Sequence, residues 1–312
     1  MIDRPVVVIV AAGGEWALLQ RLIFSAIRAV GGHLPPSVLV ALLGPPAFAR
    51  AAVDVWVRGL RPPTQLPPLP GTTTRAHRAL YDRLLFRMTP LAGFWIDRLA
   101  APEWSGRYDV SEIERLRGEL AGRPLILVSF HYGALVMVPP VLTQYGVPTA
   151  LAVSREGWPL SRLRQWRLDL ARIDDTPTVV PAEARAMLRF LRPGRCLIVA
   201  VDYPTAERAA VPYTGSLVRL STPPLRLARA ARAVVVPMLA LHQGPWRMSM
   251  RLGRPVPDEL IARADYDAAA AHIVSELLPL AATAPRQALP TLVEAFEPEA
   301  YVAGASEGVA SA

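Results

Sequence analysis

The chain has no lysine and a single cysteine, Cys196. One cysteine excludes a disulfide-stapled scaffold. The missing lysine excludes a Walker-type phosphate loop, which needs that side chain on the phosphates. Charged residues are only 19% of the chain, against 52% hydrophobic. That balance excludes a disordered or charge-solvated scaffold, which buries too little apolar surface to fold. Five histidines are scattered, with no i, i+4 pair and no cysteine cluster, so the sequence offers no metal site. No G-x-S-x-G elbow occurs, and Gly13-Gly14 is too short for a dinucleotide loop.

Long apolar runs are also lacking. A membrane-spanning helix needs about 20 mostly apolar residues in one piece. Residues 34–49 are uncharged, but short and interrupted by four prolines. Residues 124–154 lack Asp, Glu and Arg, yet His131, Gly133, Pro139, Pro140, Gly146 and Pro148 divide them. Residues 5–12 are apolar but sit between Asp3-Arg4 and Gly13-Gly14-Glu15. They read as a buried strand rather than a signal core.

What the chain does have is arginine, a formal charge of +8 and a mean hydropathy of +0.27. A basic protein attracts anionic partners. The arginines form no dense run and no aromatic-interleaved strand, so nucleic acid is not expected among those partners. The positive hydropathy directs attention to a membrane surface instead. Residues 16–30 fit an amphipathic helix, suited either to core packing or to lying on a membrane.

Organisation follows from texture. Residues 1–100 read as an apolar, mainly helical N-terminal region, crossed by a stiff connector with five prolines over 61–70. From 101 to 296 short apolar runs alternate with helical patterns, which predicts an α/β domain. Its sheet should be substantially parallel or mixed and flanked by helices. Expected strands are 124–130, 148–153, 178–180, 196–201, 233–241 and 248–252. Expected helices are 159–172, 183–191, 217–232, 265–280 and 291–296. Another helix should open at Ser111-Glu112-Ile113-Glu114, a capping box. Residues 297–312 read as a small, polar tail.

In open α/β sheets, ligands bind at the carboxyl ends of strands. His131 and Asp202 both fall at such ends. His131 follows its strand directly, and Gly133 two places on permits close approach of backbone or ligand. These features mark His131 as a catalytic candidate.

Residues 110–260 resemble the bacterial lipid A biosynthesis acyltransferases, within the wider glycerolipid acyltransferase superfamily. The first block of that family reads strand, H-x-G, a leucine-containing helix, G-x-P, strand, R. Here His131, Gly133, Leu142, Gly146, Pro148, Val153 and Arg155 follow the same order, and Trp158-Pro159 matches the family's W-P step into a helix. The second block, a glycine then a strand-end aspartate, matches Gly194 and Asp202. Val211-Pro212-Tyr213-Thr214-Gly215 matches V-x-F-x-G. Ser221-Thr222, Leu227-Ala228-Arg229 and Val235-Val236-Pro237 complete the order.

The resemblance implies an enzyme that moves a fatty acyl group from an acyl-carrier-protein or coenzyme A thioester to a hydroxyl or amine. His131 would be the general base and Arg155 a polar anchor for phosphate, carboxylate or oxyanion. The backbone N–H groups of Gly133 and Ala134 are candidate oxyanion donors, and Tyr213 and Gly215 candidate substrate contacts. It implies no tightly bound cofactor and no metal, the acyl thioester being a co-substrate. It places the protein peripherally on the cytoplasmic face of the inner membrane, or in the cytoplasm. Arg162, Arg164, Arg167 and Arg172 are candidates for docking an acidic carrier or anionic lipid.

One position departs from the family. Its catalytic motif has an acid five residues after the histidine, and here that residue is Val136. The acid normally orients the imidazole and stabilises the imidazolium. Asp202 is the first candidate to replace it, ahead of Glu207 and Glu156. A catalytically silent relative that binds an acyl chain or lipid is the alternative reading, and a thioester hydrolase a third.

Overall fold

A computed structural model of the chain describes residues 102–120, 122–154, 172–173, 175–284, 287–288, 292 and 295–298. Five residues earlier in the chain (Val38, Ala41, Pro45, Phe48 and Ala49) are also described; all are helical and exposed. The rest of the N-terminal region, Arg155 to Ala171 and residues 299–312 lie outside the described residues.

In chain order the elements are β1 (Tyr108–Asp109), α1 (Ile113–Leu120), β2 (Leu125–Ser129), α2 (Val138–Gln144), β3 (Thr149–Val153), β4 (Arg172–Ile173), β5 (Thr176–Pro177), β6 (Val179–Pro181) and α3 (Ala184–Phe190). There follow β7 (Cys196–Ala200), β8 (Arg208–Tyr213), β9 (Ser216–Ser221), α4 (Pro223–Ala231), β10 (Val234–Gly244), β11 (Arg247–Leu252), α5 (Asp258–Ala262), α6 (Tyr266–Ala282) and β12 (Phe296–Pro298).

Seven strands form the main sheet, in the order β1-β11-β10-β2-β7-β3-β6. Every neighbouring pair is parallel except β10 with β11. The domain is therefore α/β with a mostly parallel mixed sheet, as the alternating texture predicted. The central strands are largely apolar because both faces are covered. Successive residues part company at period two. Leu125, Leu127, Cys196, Ile198, Val234 and Val236 join one core cluster, with Trp104 and the α2 residues Val138, Val141 and Leu142. Ile126, Val128, Leu197 and Val235 join the other, with residues of α4 and α6.

The topology explains that division. From β2 the chain crosses over β7 through α2 to reach β3. From β7 it crosses over β2, through β8, β9 and α4, to reach β10. Right-handed crossovers running in opposite directions place their helices on opposite faces. The carboxyl ends of β2 and β7 thus flank the point where the connections diverge, the place where such sheets open a crevice.

Proline opens two of the helices. Val138-Pro139-Pro140 begins α2 and Pro223-Pro224 begins α4, with prolines in the first turn, where an N–H has no helical partner. Asp265 caps α6, accepting from the Ala268 N–H at 3.2 Å.

Several boundaries differ from the sequence reading. No capping box forms at Ser111. Its N–H donates to the Asp109 carboxylate, that of Ile113 to the Val110 carbonyl, and α1 starts at Ile113. Ser216–Ser221 is strand rather than helix, because it alternates buried and half-buried positions and pairs with β8 and β12. Residues 296–298 form β12 against β9, so order extends into the expected tail. Arg172 opens β4 instead of ending a helix.

Leu127 lies in the middle of β2 and is fully buried. Leu127→Ala should destabilise the domain by about 2–5 kcal/mol, the usual range for a buried leucine. The urea midpoint should fall while the slope of the transition is unchanged.

Candidate active site

Parallel pairing of β2 with β7 sets Ser129 beside Ala200. The Val201 N–H extends that ladder to the Ser129 carbonyl at 2.8 Å. Two residues past each strand, in the same register, stand His131 and Asp202. The Asp202 side chain is completely buried, and that of His131 remains 32% exposed.

A buried carboxylate needs donors. Asp202 takes them all from one residue. The His131 backbone N–H lies 3.0 and 2.9 Å from the two carboxylate oxygens, and ring Nδ1 lies 2.8 Å from Oδ1. Gripping backbone and ring together fixes the imidazole's rotation. With Nδ1–H donating to Asp202, the tautomer that fits leaves the lone pair on Nε2. Burial draws the His131 pKa down, but the Asp202 charge and hydrogen bond outweigh it, so the pKa lies above 6.5. The Tyr203 ring sits beside the imidazole, centroids 6.2 Å apart and planes tilted by 49°.

The segment after His131 is held from three sides. The Tyr132 hydroxyl is buried and donates toward the Ala281 carbonyl at 2.8 Å and the Ala284 carbonyl, at the end of α6. Tyr132 also bridges to Ala288. The Gly133 N–H donates to the Gln287 carbonyl at 2.9 Å, and the Ala134 N–H to the Ala240 carbonyl at 2.8 Å. Neither N–H is free for an oxyanion, which corrects the expectation placed on Gly133 and Ala134. Gly133 has another reason to be glycine. Its φ is +51°, and a Cβ there would lie 2.1 Å from the Ala240 carbonyl oxygen.

The remaining candidates are dispersed. Tyr213 packs against the α4/α6 core cluster. Thr214 and Gly215, with φ of 42° and 75°, make the two-residue turn between β8 and β9, so hairpin geometry accounts for Gly215. Glu207 pairs with Arg226 at the surface, 3.0 Å away, and the Arg226 guanidinium stands over the Tyr266 ring. Arg155, Glu156, Arg162, Arg164 and Arg167 lie outside the described residues. Val136 occupies a short 3-10 turn, Leu135–Met137, and packs against the α2-side core. Cys196 is fully buried, and burial pushes its thiol up to about 12, so it is no nucleophile.

Four site residues escaped the sequence reading. Tyr203 had a signal, being next to Asp202. Tyr132 lay inside the His-Tyr-Gly step but drew no role. Gln287 had no local signal; it comes to the site only through the return of the chain after α6. His242, at the far end of β10, joins them. Burial lowers its pKa to about 4, against a hydrogen bond with the Gly133 backbone, so it is neutral at physiological pH.

Among the described residues, no helix is long and apolar enough to cross a membrane, and no group of three or more metal-binding side chains converges. No protein-family model and no curated protein matches this chain.

Two outcomes follow. Gly133→Ala should lose about 1–2 kcal/mol to left-handed backbone and about 1–3 kcal/mol more to overpacking, seen as a lower melting temperature. The pH dependence of stability should carry the mark of the His131–Asp202 pair. His131 binds its proton more tightly folded than unfolded, so the pair's contribution is complete below pH 6.5 and is lost as pH rises through the folded value. The stability gap between wild type and Asp202→Asn should therefore narrow as pH rises above 6.5 in parallel melts.

Proposed function

We propose that this protein is an acyltransferase of the lipid A acyltransferase type, moving a fatty acyl group from a thioester to a hydroxyl or amine. The observation that carries the reading is the His131–Asp202 pair at the diverging strand ends. It supplies a base and its orienting acid where the sequence, with Val136 in the family's acid position, had neither assured. In the proposed reaction His131 Nε2 takes the proton of the acceptor O–H or N–H. The acceptor atom bonds to the thioester carbonyl carbon. The tetrahedral adduct then expels the thiolate, the C–S bond breaks, and the imidazolium returns its proton to sulfur. Asp202 holds the ring on its Nδ1 side and balances the positive charge during the adduct's lifetime.

The donor is a carrier-protein or coenzyme A thioester, both anionic and suited to a chain of charge +8. Arg155 is the proposed anchor for the donor phosphate or the oxyanion. It follows β3 by two positions in sequence, and β3 is the strand beside β7. The site of action is the cytoplasmic face of a membrane, held peripherally by the apolar N-terminal region.

A second reading is favoured by one specific observation. The Gly133 and Ala134 N–H groups are both consumed by backbone carbonyls, which suits a relative that binds an acyl chain without turning it over.

Labelled acyl-carrier thioester, offered with cell-extract lipids and small amines, separates the two. Wild type should form a labelled acyl product, and His131→Ala should not. Asp202→Asn should lower the rate by about 10⁴, as neutralising the orienting aspartate does in serine proteases. The rate should rise with pH through the elevated His131 pKa, because only neutral imidazole is a base. Equal background from wild type and His131→Ala, with donor binding retained, would select the binding reading.

A further inference from the structure

We infer that Gln287 is the positioning residue for His131, its side-chain amide standing in for a strand residue that the sheet lacks. The starting point is an unfinished edge. β10 pairs with β2 only through Val234–Pro237 and then runs on to Gly244. Along that extension β11 covers one side. The other side, beyond the end of β2, presents backbone groups that need partners. The Ala240 carbonyl receives the Ala134 N–H at 2.8 Å. At His242 the partner is Gln287. Its Oε1 accepts from the His242 N–H at 2.7 Å, and its Nε2 donates to the His242 carbonyl at 3.0 Å.

That is the two-way exchange of a strand pair, made by a side chain. A primary amide is the chemical analogue of a peptide group, carrying one acceptor and a donor at fixed spacing. Glutamate has no donor, and alanine has neither group. The same residue's main-chain carbonyl takes the Gly133 N–H at 2.9 Å. Gln287 thus ties the end of β10 to the backbone two residues from His131. Its Oε1 also lies where a Cβ on residue 133 would come within 2.8 Å, which shows how closely the parts fit.

The groups around His131 divide the work. Asp202 sets the ring's rotation, Tyr203 flanks the ring, and neutral His242 lies beyond Gly133. Asp202 can grip the ring and the His131 N–H together only while the following backbone stays in place. Gln287 holds that backbone and touches no reacting atom. Its role in turnover rests on the proposed acyl transfer; its role in setting the His131 geometry does not.

The test uses the full chain with ¹⁵N-labelled histidine. Ring nitrogen shifts are followed against pH in wild type, Gln287→Ala, Gln287→Glu and Val274→Ala. The last variant thins the buried side of α6 away from the clasp and serves as a stability control. The inference expects Gln287→Ala to show a His131 pKa lower than wild type, and both Gln287 variants to lose the single Nδ1–H tautomer. Val274→Ala, although less stable, should titrate as wild type. Gln287→Glu keeps the Oε1 acceptor, so it serves as the second probe if the alanine variant does not fold. In the acyl-transfer assay kcat should fall tenfold or more with KM little changed. Unaltered His131 titration in a folded Gln287 variant would overturn the inference, as would an equal change in Val274→Ala. If wild type shows no turnover, the acyltransferase reading fails while the titration still decides the role of Gln287.

Discussion

Burial of one carboxylate organises this site. Asp202 sits at the end of a central strand with no exposed side-chain surface. An ionised group there is tolerated only if its oxygens are met by donors. The fold meets them by register. Ser129 pairs with Ala200, so the strands expire level with each other and the next turn of each chain delivers His131 to Asp202. The demand of a buried charge and the supply of an oriented imidazole are one arrangement. The crossovers that send α2 and α4 to opposite faces diverge at the strand ends where this happens.

That arrangement changes what Val136 means. An acid five residues after the histidine would reach the ring from its own segment, so its position would depend on a local turn. Here the acid comes from the neighbouring strand, and its position depends on the β2–β7 ladder, which is among the most deeply buried parts of the domain. A sheet ladder is a stiffer reference frame than a three-residue turn. Residue 136 can then be apolar and contribute to the core beside Leu135 and Met137, without leaving Nδ1 unpartnered.

The sequence displayed the parallel framework well and the antiparallel additions poorly, for a physical reason. β2, β7 and the start of β10 are buried on both faces, so they appear as continuous apolar runs bounded by glycine or proline. That signal identifies a strand without its neighbours. It also located His131 and Asp202, since each is the first ionisable residue after such a run. β9 is different. Ser216–Ser221 alternates, and Leu217 and Arg219 are half-buried, a pattern that merges with the following α4 when its partners β8 and β12 are unknown. The Ser111 capping box failed because Asp109 competes for the same short turn. Gln287 was invisible for a deeper reason. Nothing local distinguishes a glutamine that completes a sheet edge from one in solvent; only the return of the chain after α6 gives it that edge.

The completed hydrogen bonding also limits the chemistry available. Tyr132, Gly133, Ala134 and Asp202 are each engaged with protein partners. They build the site by being unavailable to a ligand. Of the His131 ring, Nδ1 is bound to Asp202, so Nε2 is the nitrogen left for proton transfer. A base of this kind lowers the barrier for the attacking group but does nothing for charge developing on a carbonyl oxygen. Acyl transfer requires that second element. With the Gly133 and Ala134 N–H groups already committed to Gln287 and Ala240, the proposed acyl transfer needs its donor to that oxygen from elsewhere. This requirement gives Arg155 its weight in the proposal. A guanidinium needs no backbone strain to present two parallel donors, and it keeps its charge across the pH range in which His131 must lose its own.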